Sequence, residues 1–218
     1  MRKSAITAEA AAALVFDGAS VMVGGFLGVG SPDRLIDALV SRKARGLTII
    51  GNDTAYPTVG VGRLIEAGCV ARVRASHIGT NPTTQRLMNG GAIEVELIPQ
   101  GTLAERIRAG GAGLGGVLTP TGVGTIVAQG KQTVEIDGAI YLIEKRLRAD
   151  FALLRAHEAD YCGNLTYRLT AANFNPLMAF AADCVIAEPD EIVPSGVIPP
   201  DSVRTPGVLV THLVGRAR

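Results

Sequence analysis

The 218-residue sequence contains no tryptophan, and its four tyrosines and five phenylalanines amount to 4% of the chain. Nucleic-acid grooves combine stacking aromatics with clustered basic charge. Here 21 Lys and Arg stand against 20 Asp and Glu, a net charge of +1, with the basic residues scattered, so a nucleic-acid partner is excluded. No apolar run reaches the roughly 18 residues that a membrane span needs. Three cysteines, Cys69, Cys162 and Cys184, lie far apart with no C-x-x-C pair, which argues against a disulfide frame or a zinc site and for reduced thiols. His77, His157 and His212 are isolated, so no metal site is expected. Met1-Arg2-Lys3-Ser4-Ala5 is followed by Thr7-Ala8-Glu9 rather than a secretory apolar core. Together these features predict a cytoplasmic protein with no membrane partner.

What the chain has in excess is glycine, 27 residues, or about 12% against a usual ~7%. These glycines stand between apolar segments, where sharp turns and close backbone approach are needed. Val21-Met22-Val23 runs into Gly24-Gly25-Phe26-Leu27-Gly28-Val29-Gly30, and Ser31-Pro32 reads as an N-cap and first residue of the next helix. Leu47 to Ile50 is then a strand, completing a βαβ unit. The alternation continues with strands at Val70–Ser76, Ile93–Ile98, Phe151–Ala156, Cys184–Ala187 and Val208–Val214. Helices are predicted at Thr7–Phe16, Thr83–Met88, Leu103–Ala109 and Asn175–Ala182. Asp137-Gly138 signals a hairpin with a type I′ turn. No repeat or linker divides the chain, so residues 1–218 form one α/β domain. Short apolar strands predict an open, mostly parallel sheet with helices on both faces.

Three places are candidates for chemistry. The loop Gly24–Gly30 joins a strand to a helix, so free N–H groups and the positive helix end would suit a phosphate or oxyanion; the alternative is a tight turn. It is not a dinucleotide fingerprint, because G-x-G-x-x-G fails, and no Walker A motif is present. Asn52, Asp53 and Gln100 stand at strand ends, where ligands bind in open α/β sheets, and the Gln100 amide is a candidate oxyanion donor; turn stabilisation is the alternative. The glycine-rich stretch from Gly110 to Thr125 reads as a frequently turning or interface loop. Thr102-Leu103-Ala104-Glu105 has capping-box spacing, and Glu144, Glu158, Glu188, Asp190 and Glu191 read as solvated or strand-edge carboxylates. With no G-x-S-x-G and no paired carboxylates, the chain offers donors but no nucleophile of its own.

Asp17 to Pro32 resembles the signature of the family I (3-oxoacid) CoA-transferases, in their A or alpha subunit. The resemblance continues through Pro99-Gln100-Gly101-Thr102-Leu103-Ala104-Glu105, Thr119-Pro120-Thr121-Gly122-Val123-Gly124-Thr125, Gly163-Asn164-Leu165-Thr166-Tyr167 and Ala172-Asn173-Phe174-Asn175-Pro176. In Gly51-Asn52-Asp53-Thr54-Ala55 and Ser76-His77-Ile78-Gly79-Thr80-Asn81-Pro82 it is most similar to the acetate/acetoacetate, short-chain type. The resemblance implies a CoA-transferase/NagB-like fold and ping-pong transfer of CoA between an acyl-CoA and a short-chain carboxylate. It implies a partner beta subunit whose Ser-Glu-Asn-Gly glutamate is the nucleophile, a motif absent here. CoA and acyl-CoA would be substrates, with no permanently bound cofactor. Gly24, Gly25, Phe26, Leu27, Gly28, Val29 and Gly30 would contact CoA, Gln100 would donate to the oxyanion or carboxylate, and Asn52 and Asp53 would line the acyl pocket. Asp53 stands where succinyl- and 3-oxoadipate-type relatives have Asn, which predicts repulsion of dicarboxylates. The alternatives are a self-sufficient sugar-phosphate isomerase or a non-catalytic binding module of the same fold.

Overall fold

The computed structural model describes residues 2–215, so Met1 and residues 216–218 of the single-domain reading lie outside it. Eight strands form one sheet in the order β1(Ala5–Ile6), β11(His212–Val214), β10(Ala182–Val193), β9(Ala149–Asp160), β2(Ser20–Val23), β3(Leu47–Ile50), β4(Val70–Ala75), β5(Glu94–Leu97). All of its pairings are parallel. Its centre is apolar on both sides, and each side is covered. Helices α1(Ala8–Leu14), α2(Asp33–Ser41), α3(Val61–Glu66) and α4(Pro82–Asn89) pack on one face around Leu35, Leu39, Leu47 and Leu64. Helices α5(Gln100–Gly111) and α6(Asn175–Met178) cover the other, around Met22, Leu103, Ile107 and Met178. The predicted α/β architecture with helices on both faces is thus the observed one. A smaller antiparallel sheet, β6(Gly116–Thr119), β8(Ala139–Lys145) and β7(Thr133–Ile136), stands apart. Its hairpin turns at Asp137 and Gly138, with φ of 52° and 76°, the two positive values that a type I′ turn requires.

The strand order reverses between β2 and β9: from β2 the chain builds outward through β3, β4 and β5, while β9 to β11 fill the other side. Loops at such a switch point leave the sheet in opposite directions and open a crevice at the strands' carboxyl ends. The loop 24–30 leaves the sheet at this place, and the Gly24 amide donates to the Leu153 carbonyl of β9 at 3.1 Å.

Several local expectations are corrected. Helix α2 begins at Asp33, and Pro32 is its cap position without a side-chain hydrogen bond, so Ser31 does not cap it. Helix α5 begins at Gln100; Thr102 lies inside its first turn with a buried, unpartnered hydroxyl, and Glu105 pairs with Arg108 at 2.7 Å instead of closing a capping box. The glycine-rich region 110–125 contains β6, whose residues Gly116 to Thr119 pair with β8. Strands β9 and β10 each extend to 12 residues, whereas α6 shrinks to 4 and β11 to 3. Glu188 and Glu144, read as solvated or strand-edge carboxylates, are instead buried among arginines and a lysine. Helix α3 and strand β1 carry no clear signal in the sequence.

Candidate active site

The loop after β2 folds on itself. Phe26 and Val29 exchange backbone hydrogen bonds, both 2.9 Å, around Leu27 and Gly28, whose φ values are +48° and +90°. That is a type I′ turn, a geometry that prefers Asn-Gly or Gly-Gly over Leu-Gly. Neighbouring protein atoms also leave no room for side chains at the glycines of this loop. A Cβ on Gly24 would lie 1.8 Å from Asn175 Oδ1, and one on Gly28 would lie 2.1 Å from Val59 Cγ1.

Two asparagines hold the loop from outside. Asn173 Oδ1 accepts the Gly25 amide at 3.2 Å and its Nδ2 donates to the Val29 carbonyl at 3.0 Å. Asn175 donates to the Gly30 carbonyl at 2.9 Å. The amides of Gly24, Gly25, Phe26, Leu27, Val29 and Ser31 are therefore spent within the chain, and the expectation of an open cradle of N–H groups does not hold for them. Nor is the start of α2 an open positive end. The fully buried carboxylate of Glu188, from β10, accepts the amides of Arg34 and Leu35 at 3.3 and 2.9 Å, and an anion already held there leaves no partial charge for another. What the loop presents outward is apolar: Phe26 and Val29 are about half exposed, and Val59, which packs against Gly28, is 37% exposed.

The strand-end residues converge on this loop. Asn52 and Asp53 follow β3 and are buried, with 2% and 6% exposure. Asp53 accepts the Leu27 amide on both oxygens at 3.2 and 3.0 Å, the Ala55 amide at 2.7 Å and Asn52 Nδ2 at 2.6 Å. Asn52 Oδ1 in turn accepts Gln100 Nε2 at 2.5 Å. An amide nitrogen carries two protons, so Gln100, at the exposed start of α5, keeps a second N–H to offer. A single chain of hydrogen bonds thus joins the ends of β2, β3 and β5 through Leu27, Asp53, Asn52 and Gln100; the other residues of the 24–30 loop stand beside it, held by Leu153, Asn173 and one another. The carboxylate of Asp53 turns to backbone amides and to Asn52 rather than to open space.

None of the candidate residues is a free nucleophile. Asp53 alone among them carries a carboxylate, and both its oxygens are engaged. Two of the thiols are poor substitutes for it: burial pushes the Cys69 and Cys184 thiols up from their ordinary value, against opposing effects of Arg42 and of the Thr211 hydroxyl. Among the described residues no group of three His, Cys, Asp or Glu could hold a metal ion, and no helix is long and apolar enough to cross a membrane. Sequence reasoning assigned no role to Asn173, Asn175 or Glu188. The spacing Asn173-Phe174-Asn175-Pro176 is the signal that could have found the first two.

The family model for coenzyme A transferase matches residues 5–216. The chain belongs to the coenzyme A transferase family. It is 54% identical to the acetate CoA-transferase subunit alpha of Escherichia coli K12 over 214 residues, which are 98% of this chain and 97% of that protein. It is 49% identical to the acetoacetyl-CoA:acetate/butyrate CoA transferase alpha subunit of Clostridium acetobutylicum, over 91% of each chain. Among solved structures it superposes on the thioester complex of the acyl-CoA transferase YdiF from E. coli O157:H7 with a TM-score of 0.88 at 27% identity. That match covers 98% of this chain but 47% of the YdiF chain, so this family member spans about half of that transferase.

Proposed function

We propose that this chain is the alpha-type subunit of a CoA-transferase that moves CoA between an acyl-CoA and a short-chain carboxylate of the acetate, acetoacetate or butyrate class. The observation that carries the reading is a site equipped with amide donors and lacking a free nucleophile. The nucleophile is supplied by a partner beta subunit, as the glutamate of a Ser-Glu-Asn-Gly segment. Its carboxylate attacks the thioester carbonyl and expels the CoA thiolate, leaving a mixed anhydride. The thiolate then attacks the glutamyl carbonyl, the first acid leaves, and CoA is held as an enzyme thioester. An incoming carboxylate reverses both steps, so the thioester energy is kept without another energy source.

In this scheme Gln100 directs its second N–H at the oxygen that gains charge, where a preorganised donor contributes most, and Asn52 sets the orientation of that amide. The segment Gly24–Gly30 lies along CoA. Its half-exposed Phe26 and Val29 suit the uncharged pantetheine arm better than the phosphates, because so many of its N–H groups are already spent. The cleft beside Gly28 and Gly30, lined also by Arg155, Tyr167, Arg168 and the carboxylates of Asp33 and Asp190, which are paired with Arg63 and Arg155, measures about 210 Å³. That is below the roughly 300–1,000 Å³ of complete small-molecule sites, as half of a shared pocket would be. CoA is substrate, not a resident cofactor, and the assembly works in the cytoplasm.

The test is co-expression with a chain bearing Ser-Glu-Asn-Gly. The pair is expected to transfer CoA from acetyl-CoA to a short-chain acid, with the thioester adduct on the partner by mass spectrometry. Turnover by this chain alone, through an adduct on its own side chain, would overturn the proposal.

A further inference from the structure

The turn that carries Leu27 is built from an unfavourable residue. Leu27 and Ala55 both adopt positive φ, +48° and +50°, a conformation that costs a non-glycine residue through contact of its Cβ with the following carbonyl. Both hand their amide to the same carboxylate, Asp53. In a type I′ turn the amide of the first central residue takes no part in the turn's own hydrogen bonds, so without Asp53 the Leu27 N–H would have no partner inside the loop. The same carboxylate fixes Asn52. Because it can only accept, it must face Asn52 Nδ2, which turns Asn52 Oδ1 toward Gln100.

We propose that Asp53 is a positioning residue: its carboxylate holds the strained tip of the 24–30 loop and, through Asn52, aims Gln100, without itself reading the charge of the carboxylic acid substrate. This rests on the functional reading above for its kinetic consequence, but the clasp on Leu27 stands on geometry alone. Strained backbone persists where its surroundings over-determine it, commonly at functional sites. Here one charged acceptor determines two such residues and the direction of a donor amide.

The experiment uses the assembled enzyme with Asp53→Asn, Asp53→Glu, Leu27→Gly and the Leu27→Gly/Asp53→Asn pair. Asp53→Asn is expected to lower kcat about 10–100-fold, the scale of a misaimed catalytic group. KM for the acid should change little, and acetate and succinate should lose by the same factor. Deuterium uptake in the 24–30 segment should rise. Leu27→Gly removes the strain at the turn, and is expected to restore order to that segment in the Asn background while kcat stays low, because Asn52 and Gln100 remain misaimed. Asp53→Glu, which keeps the charge but shifts its oxygens, should fall between parent and Asn. An altered acetate-to-succinate ratio with unchanged deuterium uptake would overturn the proposal, as would Leu27→Gly failing to slow uptake in the Asn background. If the parent assembly transferred no CoA, the functional reading would fall, while the uptake measurement would still decide the clasp.

Discussion

Replacing Glu188 with alanine removes a carboxylate that serves four groups at once. It accepts the Arg34 and Leu35 amides at the start of α2 at 3.3 and 2.9 Å, and it pairs with the guanidinium groups of Arg34 at 3.3 Å and Arg155 at 2.9 Å. Loss of a charged cap costs about 1–2 kcal/mol. Breaking a buried ion pair costs about 3–5 kcal/mol when the remaining charge is sealed from water. Here that figure is discounted, because the two arginine side chains are 32% and 30% exposed and Arg155 keeps Asp190 as a partner. A net loss of about 3 kcal/mol follows. At roughly 2–4 °C per kcal/mol for a domain of this size, Tm should fall by about 6–12 °C in calorimetry near neutral pH. Because the carboxylate is fully buried, most of the loss should persist in molar salt. Glu188→Gln should lose about half as much, since one oxygen still accepts a helix amide while the new –NH₂ faces other donors. A Glu188→Ala protein melting within about 2 °C of the parent would refute the account, and with it the claim that the start of α2 is closed to other anions.

Two further outcomes follow from the same geometry. Burial pushes the Tyr167 phenol up to about 12, with its hydrogen bond to Thr205 opposing. The folded protein therefore holds this proton longer than the unfolded chain does. Stability is unaffected below about pH 10 and is lost as pH rises from 10 toward 12; ultraviolet titration showing all four tyrosines ionising together near pH 10 would contradict this. Gly24→Ala would force its Cβ onto Asn175 Oδ1, the acceptor of the Arg155 amide at 3.0 Å. It should destabilise by about 2–3 kcal/mol by denaturant unfolding, with proteolytic nicking appearing first in the 24–30 loop.

The repetitive parts of this fold were legible because their signal is local. Apolar runs bounded by glycine mark buried parallel strands, and Asp137-Gly138 has the residue types that a type I′ turn demands. What escaped was set by distant partners. Glu188 follows a run of apolar residues in a strand and precedes Pro189, Asp190 and Glu191, so nothing nearby shows that its side chain turns to a helix start 153 residues away. For the same reason Ser31-Pro32 reads as an N-cap although the capping oxygen comes from another strand. Asn52, Asp53 and Gln100 were legible as strand-end polar residues, but their joint connection to Leu27 requires the sheet order that brings β2, β3 and β5 to one edge of the crevice.

The glycines show most clearly how a correct residue set can come with an incomplete reason. From sequence, a glycine-rich loop before a helix implies that something large must approach the backbone, and a phosphate is the usual candidate. In the fold, the large thing is the protein itself: Asn175, Ser31, Val59 and Ala171 occupy the space where side chains at Gly24, Gly25, Gly28 and Gly30 would stand. The glycines let three loops and the Asn173–Asn175 segment close on one point, and that closure leaves Leu27 strained, Asp53 fully engaged and Gln100 with one unspent N–H. A site that uses its own charge to hold itself in shape has none left to attack a thioester. Under the proposed function, that engagement of Asp53 leaves the attacking carboxylate to be supplied by the partner chain.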